Sequence, residues 1–169
     1  IISTIGGLIG YAGYRIKIDN CRYDGMIEAS IKDGEMSQLG GLIGNNNASL
    51  TECYSSGSLK INGSGDARQI GGLLGYNCES LKDVFSNLSI NITFAPSIGI
   101  YHIGGLIGEQ VKVDLDSCYY DGEIRFDLIG DHNHNVVNFA GGLIGSNKGD
   151  LTKCYSRCNI YGKSVKSNN

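Results

Sequence analysis

The chain has 169 residues, among them 26 Gly, one Pro, six Cys and no Trp, with 41% apolar and 18% charged residues and a net charge of −3. Near-absence of proline and ordinary apolar content exclude a Pro/Gly-rich disordered linker, and the lack of a G-X-Y period excludes collagen. No Lys/Arg cluster offers a basic face to nucleic acid, and no apolar run approaches the roughly 20 residues of a membrane span.

The first residues, IISTIGG, carry neither an initiator Met nor a signal peptide, so a segment of a longer protein or a processed product is expected. A chain of this length is normally one domain that needs no disulfide staples.

Gly6-Gly7-Leu8-Ile9-Gly10 is the first of five copies of Gly-Gly-Leu-(Ile/Leu)-Gly. The others carry Gly40, Gly41 and Gly44, then Gly71, Gly72 and Gly75, then Gly104, Gly105 and Gly108, and last Gly141, Gly142 and Gly145. Successive copies are 34, 31, 33 and 37 residues apart, and an apolar residue (Ile5, Leu39, Ile70, Ile103, Ala140) precedes each. A second block starts 13 to 15 residues after the first Gly of each motif, at Cys21, Cys53, Val84, Cys118 and Cys154. An aliphatic residue lies three positions before each block (Ile18, Leu50, Leu81, Leu115, Leu151) and another six after its start (Ile27, Leu59, Ile90, Ile124, Ile160). After the block, apolar residues recur at every second position, as in Ser58-Leu59-Lys60-Ile61-Asn62, which is strand alternation rather than a helical period.

Each repeat therefore holds about three short strands joined by Gly-, Asn- and Ser-rich turns. The expected fold is all-β, a parallel β-helix of five coils, with repeats at about 1–34, 35–65, 66–98, 99–135 and 136–169. A β-propeller is the alternative. In the β-helix the glycines form columns at tight corners, where a missing Cβ permits φ > 0 or a close backbone approach. A phosphate-cradling loop fits poorly, since no P-loop or dinucleotide fingerprint is present.

Cys21, Cys53, Cys118 and Cys154 share their position with Val84, which suggests an inward column of small apolar side chains. In-register neighbours about 4.8 Å apart suit free thiols better than disulfides. Cys78 and Cys158 lie off the column, and no C-x-x-C pair suggests zinc. The next position then points outward and carries Arg22, Tyr54, Phe85, Tyr119 and Tyr155. This aromatic ladder is the candidate binding surface: such rings hold sugars or proteins, or simply stack on one another.

Other chemistry is sparse. His132 and His134 form one H-x-H in the longest insertion, and His102 abuts a motif. Asp114 and Asp116 with Asp121 or Glu123 could form the acidic pair of a β-helix polysaccharide enzyme, or only a solvated face. No catalytic residue, cofactor or metal is assigned, and regular Thr columns for an ice-binding face are not visible. Sequons occur at Asn47, Asn62, Asn87 and Asn91.

Gly-Gly-Leu-Ile-Gly followed by Cys-Tyr-Ser-Ser-Gly resembles the GLUG motif, here Gly41-Leu42-Ile43-Gly44 and its four counterparts. The resemblance runs over essentially the whole chain, with departures at Val84, Leu88 and Cys158. GLUG repeats occur in large secreted or wall-attached bacterial proteins, including adhesin-like proteins and non-catalytic parts of immunoglobulin A peptidases. The resemblance implies an extracellular, non-catalytic structural or adhesive module, a spacer or a binding surface. Its expected partners are proteins, glycans or further copies stacked end to end in a filament. A β-helix carbohydrate-active enzyme or glycan-binding domain is the alternative.

Overall fold

The computed structural model describes residues 2–32, 35–94, 100–129 and 137–165. Over these the chain is all-β, wound as a parallel β-helix of five rungs. Every strand pairing is parallel, which excludes the antiparallel blades of a propeller.

Each rung contributes to four sheets rather than to three strands. The first sheet stacks Ile2–Gly6, Glu35–Gly40, Asp66–Gly71, Ile100–Gly104 and Val137–Gly141. The second stacks Ile9–Ala12, Ile43–Asn46, Leu74–Asn77, Ile107–Gln110 and Ile144–Asn147. The third is narrow and stacks Lys17–Asp19, Ser49–Thr51, Leu81–Lys82, Leu115–Asp116 and Leu151–Thr152. Its strands are too short to show a period of two in sequence. The fourth sheet begins with Arg22–Ile31 and Tyr54–Gly63, and in the last three rungs each of its strands is interrupted once.

Stacking keeps the repeat in register, with Gly6, Gly40, Gly71, Gly104 and Gly141 in one column. The inward columns make the core: Leu39, Leu42, Ile43, Leu50, Leu59, Ile61, Ile70, Leu73 and Leu74 are fully buried. On the last rung the same columns are open on one side, so Leu151 is 45% exposed where Leu115 is 0%.

The motif glycines are explained by close approach, not by φ, since among the described glycines only Gly57 (φ 105°) and Gly63 (φ 142°) lie in the left-handed region. Between the first and second sheets the chain folds back so tightly that no side chain fits between backbones. A Cβ on Gly71 would lie 1.9 Å from the Leu74 carbonyl oxygen, and one on Gly72 2.1 Å from that of Gly105.

The second motif Gly faces a column on the opposite wall: Tyr23, Ser55, Ser86, Tyr120 and Ser156. Two positions later stand Gly25, Gly57, Leu88, Gly122 and Cys158. The pairs compensate in size except in the second rung, where Ser55 and Gly57 are both small and Leu88 of the next rung lies near Gly41. Each Tyr lies against the Gly that follows it, while Ser86 is followed by Leu88 and Ser156 by Cys158. The departures of the third and fifth repeats thus fill volume that Tyr fills elsewhere. Tyr120 is fully buried, and its hydroxyl donates toward the carbonyls of Leu88 and Glu123, each at 3.0 Å.

A second inward column, Asn46, Asn77, Gln110 and Asn147, braces the turn into the third sheet. Asn46 Nδ2 donates to the Ala48 carbonyl at 2.7 Å and to Asn77 Oδ1 at 2.8 Å, and its Oδ1 accepts from the Ala48 N–H. Asn77 repeats the contact on Glu79 and Asn147 on Gly149. Gln110, one methylene longer, reaches three residues on, to the Val113 carbonyl at 2.7 Å. That rung's motif-to-block spacing is 14 residues, against 13 where the brace is Asn; in the first rung, with Ala12, it is 15. Both longer turns carry an extra left-handed residue, Arg15 (φ 62°) and Lys112 (φ 44°).

The corner between the third and fourth sheets is left-handed in every rung, at Asn20, Glu52, Asp83, Ser117 and Lys153, with φ between 49° and 57°. The Cys column follows immediately. All six cysteines are free, and Cys53 and Cys118 are fully buried beside Val84. Each column thiol donates to the carbonyl two residues earlier, at 3.2–3.3 Å. The thiols therefore cap the corner as well as fill space.

Burial pushes the Cys118 thiol up to about 12 and raises Cys53 and the Tyr120 phenol. The folded chain then holds protons that the unfolded chain releases, starting near the ordinary thiol value of 9.0. Stability is expected to be flat from pH 7 to pH 9 and to fall above it. Thermal melts from pH 7 to pH 11 measure this, and Cys118→Val, which copies Val84, should make the alkaline decline shallower.

Candidate binding surface

The fourth sheet presents its alternate residues to solvent, and the aromatic column lies along its leading edge. Tyr54 and Phe85 stack at 4.8 Å between ring centroids and 6° between planes. Phe85 and Tyr119 stack at 4.8 Å and 1°, and Tyr119 and Tyr155 at 5.0 Å and 1°. The spacing is the inter-strand distance of the sheet, because every ring leaves its strand at the same phase. Arg22 continues the column, with Nη1 donating to the Tyr54 hydroxyl at 3.2 Å. The rings thus cover one another's faces. What remains open is a strip of ring edges and hydroxyls, together with Tyr155, which is 53% exposed.

Beside the ladder runs a polar column, Asp24, Ser56, Asn87, Asp121 and Arg157. Ser56 donates to Asp24 at 2.8 Å, and Arg157 pairs with Asp121 on the neighbouring rung. The Arg157 hydrogen bond holds the Asp121 carboxyl below its ordinary value. Glu123 pairs with Arg125 at 3.1 Å. Asp121 and Glu123 are therefore engaged by arginines on the fourth sheet, whereas Asp114 and Asp116 belong to the third.

Asp114 and Asp116 instead line a groove of about 490 Å³ along the third sheet, with Ser49, Thr51, Ser80, Lys82 and Thr152. Its floor is the strand backbone at Leu50, Leu81 and Leu115.

Sequence reasoning also missed a half-buried cluster between the first and second sheets. Glu109 accepts from Gln69 Nε2 at 2.8 Å, and lies 3.3 Å from both Lys148 Nζ and His102 Nδ1. Its members come from three rungs and share no motif, so only the stacking register reveals them. His132 and His134 lie outside the described residues. Of the sequon asparagines, Asn47 is buried and donates to the Ala12 carbonyl, whereas Asn87 is exposed on the fourth sheet. No metal-holding group of three or more His, Cys, Asp or Glu occurs among the described residues. No helix among them is long and apolar enough to cross a membrane.

Comparison with models of protein families, with curated proteins and with solved structures found no match for the chain.

Proposed function

We propose that the chain is a non-catalytic, extracellular structural or adhesive repeat module whose fourth sheet is its contact face. The observation that supports this reading most is the continuous ladder of Tyr54, Phe85, Tyr119 and Tyr155, held in one plane-parallel stack by the sheet register. A rigid array of ring edges and phenol hydroxyls offers large contact area at little entropic cost. The GLUG-like repeat is in keeping with a secreted or surface-attached parent and with a spacer role.

The test is capture of cell-surface proteins by the whole chain, with Tyr119→Ala and Tyr155→Ala as probes. We expect the substitutions to weaken capture at least tenfold while melting changes little for the exposed Tyr155. Capture unaffected by either would reduce the role to a spacer. End-to-end stacking of copies into a filament belongs to the same proposal, since the outer rungs leave their columns open on one side. Light scattering should then show mass rising with concentration.

The groove on the third sheet favours a second reading, a glycan-binding domain. The groove carries two carboxylates, one ammonium and four hydroxyls, and its charges are not spent on each other.

A further inference from the structure

The groove along the third sheet runs across four rungs, from Ser49 and Thr51 through Ser80 and Lys82 and Asp114 and Asp116 to Thr152. Three inter-rung steps give it a length of about 14 Å. Its volume, about 490 Å³, is in the range of small-molecule sites.

Among the described residues the charges in it are not joined to one another, as is also true of the in-register Glu28 and Lys60 and of Asp127 and Lys163 on the fourth sheet. Glu35 and Arg68, and Asp121 and Arg157, stand on neighbouring rungs and form ion pairs. Lys82 and Asp116 also face each other in register on neighbouring rungs, yet among the described residues no ion pair joins them. Asp114 Oδ1 accepts from the Asp150 N–H at 3.3 Å and Asp116 Oδ1 from Ser117 Oγ at 3.1 Å, which fixes both carboxylates while leaving each a second oxygen. The groove therefore presents held acceptors, one ammonium donor and the hydroxyls of Ser49, Thr51, Ser80 and Thr152.

That mixture selects its ligand. Two carboxylates against one ammonium repel a polyanion, which disfavours uronate polymers, sulfated glycans and nucleic acid. The lining holds no aromatic ring on which a planar apolar ligand could stack. Adjacent hydroxyls of a sugar ring can donate to a carboxylate while others accept from Lys82 and the Ser and Thr hydroxyls. We propose that this groove is a binding site for a short neutral oligosaccharide lying along the solenoid axis. The proposal rests on the glycan-binding reading above and places the site on the third sheet rather than on the aromatic ladder.

The test is calorimetry on the whole chain with neutral hexasaccharides of glucan, mannan, galactan and xylan type, and with oligogalacturonate as the anionic counterpart. At least one neutral probe is expected to bind, and oligogalacturonate is not. Asp114→Asn with Asp116→Asn should weaken binding at least tenfold with unchanged melting, because Asn keeps the Oδ1 acceptor that each aspartate uses locally. Tyr119→Ala should leave the affinity unchanged. Failure of every neutral probe to bind overturns the site. Binding lost with Tyr119→Ala but kept in the double Asn variant also overturns it, while leaving the adhesive role of the ladder standing.

Discussion

Gly72→Ala is expected to prevent the chain from folding. The new methyl carbon would lie 2.1 Å from the Gly105 carbonyl oxygen, 2.7 Å from Ser86 Oγ and 3.3 Å from the Gly105 carbonyl carbon. Two of these atoms are backbone of the next rung, held by the Gly72 N–H bond to the Gly105 carbonyl at 3.0 Å. Relief requires the rungs to part, and parting them breaks inter-rung bonds in the first two sheets together. The cost is set by lost rungs rather than by one overpacked side chain, for which about 1–3 kcal/mol would be usual. Total stability of a domain is on the order of 10 kcal/mol, so loss of even one rung interface is serious. Soluble yield and the far-ultraviolet β signal measure the outcome. Gly13→Ala is the control: its methyl would meet only Ile16 at 3.7 Å and Tyr11 at 4.0 Å, so it should fold normally. A well-folded Gly72→Ala protein would refute the close-approach account of the motif.

Asn77→Leu is expected to cost about 3 kcal/mol, read as a lower midpoint in urea. Leucine keeps the branched shape with bulkier methyl groups and removes the donor to the Glu79 carbonyl and the acceptor for Asn46 Nδ2. Asn46 and Asn77 are fully buried, so water does not replace these bonds without opening the rung. The same change at Asn147, whose contact with Gly149 is exposed, should cost under about 1 kcal/mol. Equal effects at the two sites would mean that the column fills space and does not brace the turn.

These two experiments probe features of unequal visibility in the sequence. The Gly-Gly-Leu-(Ile/Leu)-Gly copies and the alternation after each Cys block are long, regular signals, and they place the first, second and fourth sheets. The third sheet escapes because strands such as Leu81–Lys82 have no room for alternation. The amide column was legible in principle, since Asn46, Asn77, Gln110 and Asn147 each lie six residues after a motif's first Gly. The left-handed corner was not. Its occupants, Asn20, Glu52, Asp83, Ser117 and Lys153, share no composition, and four of them lack the glycine or asparagine that usually marks such a turn. The ladder's membership could be read from the repeat, but not the closure of ring on ring, which follows from side-chain rotation. The groove, and the contacts of Glu109 with Gln69 and Lys148, join residues 31 to 40 positions apart, brought together by stacking register.

The inter-rung hydrogen bonds point along the solenoid axis, and the two ends of the described chain lie on opposite terminal rungs. Tension applied between those ends therefore bears on one rung interface at a time and peels the coil as a thread leaves a spool. Each released rung of 31 to 37 residues gains roughly 100–130 Å when fully extended, against about 4.8 Å when wound. A coil built this way is expected to yield under load in discrete steps, while the rungs still wound keep their surfaces intact.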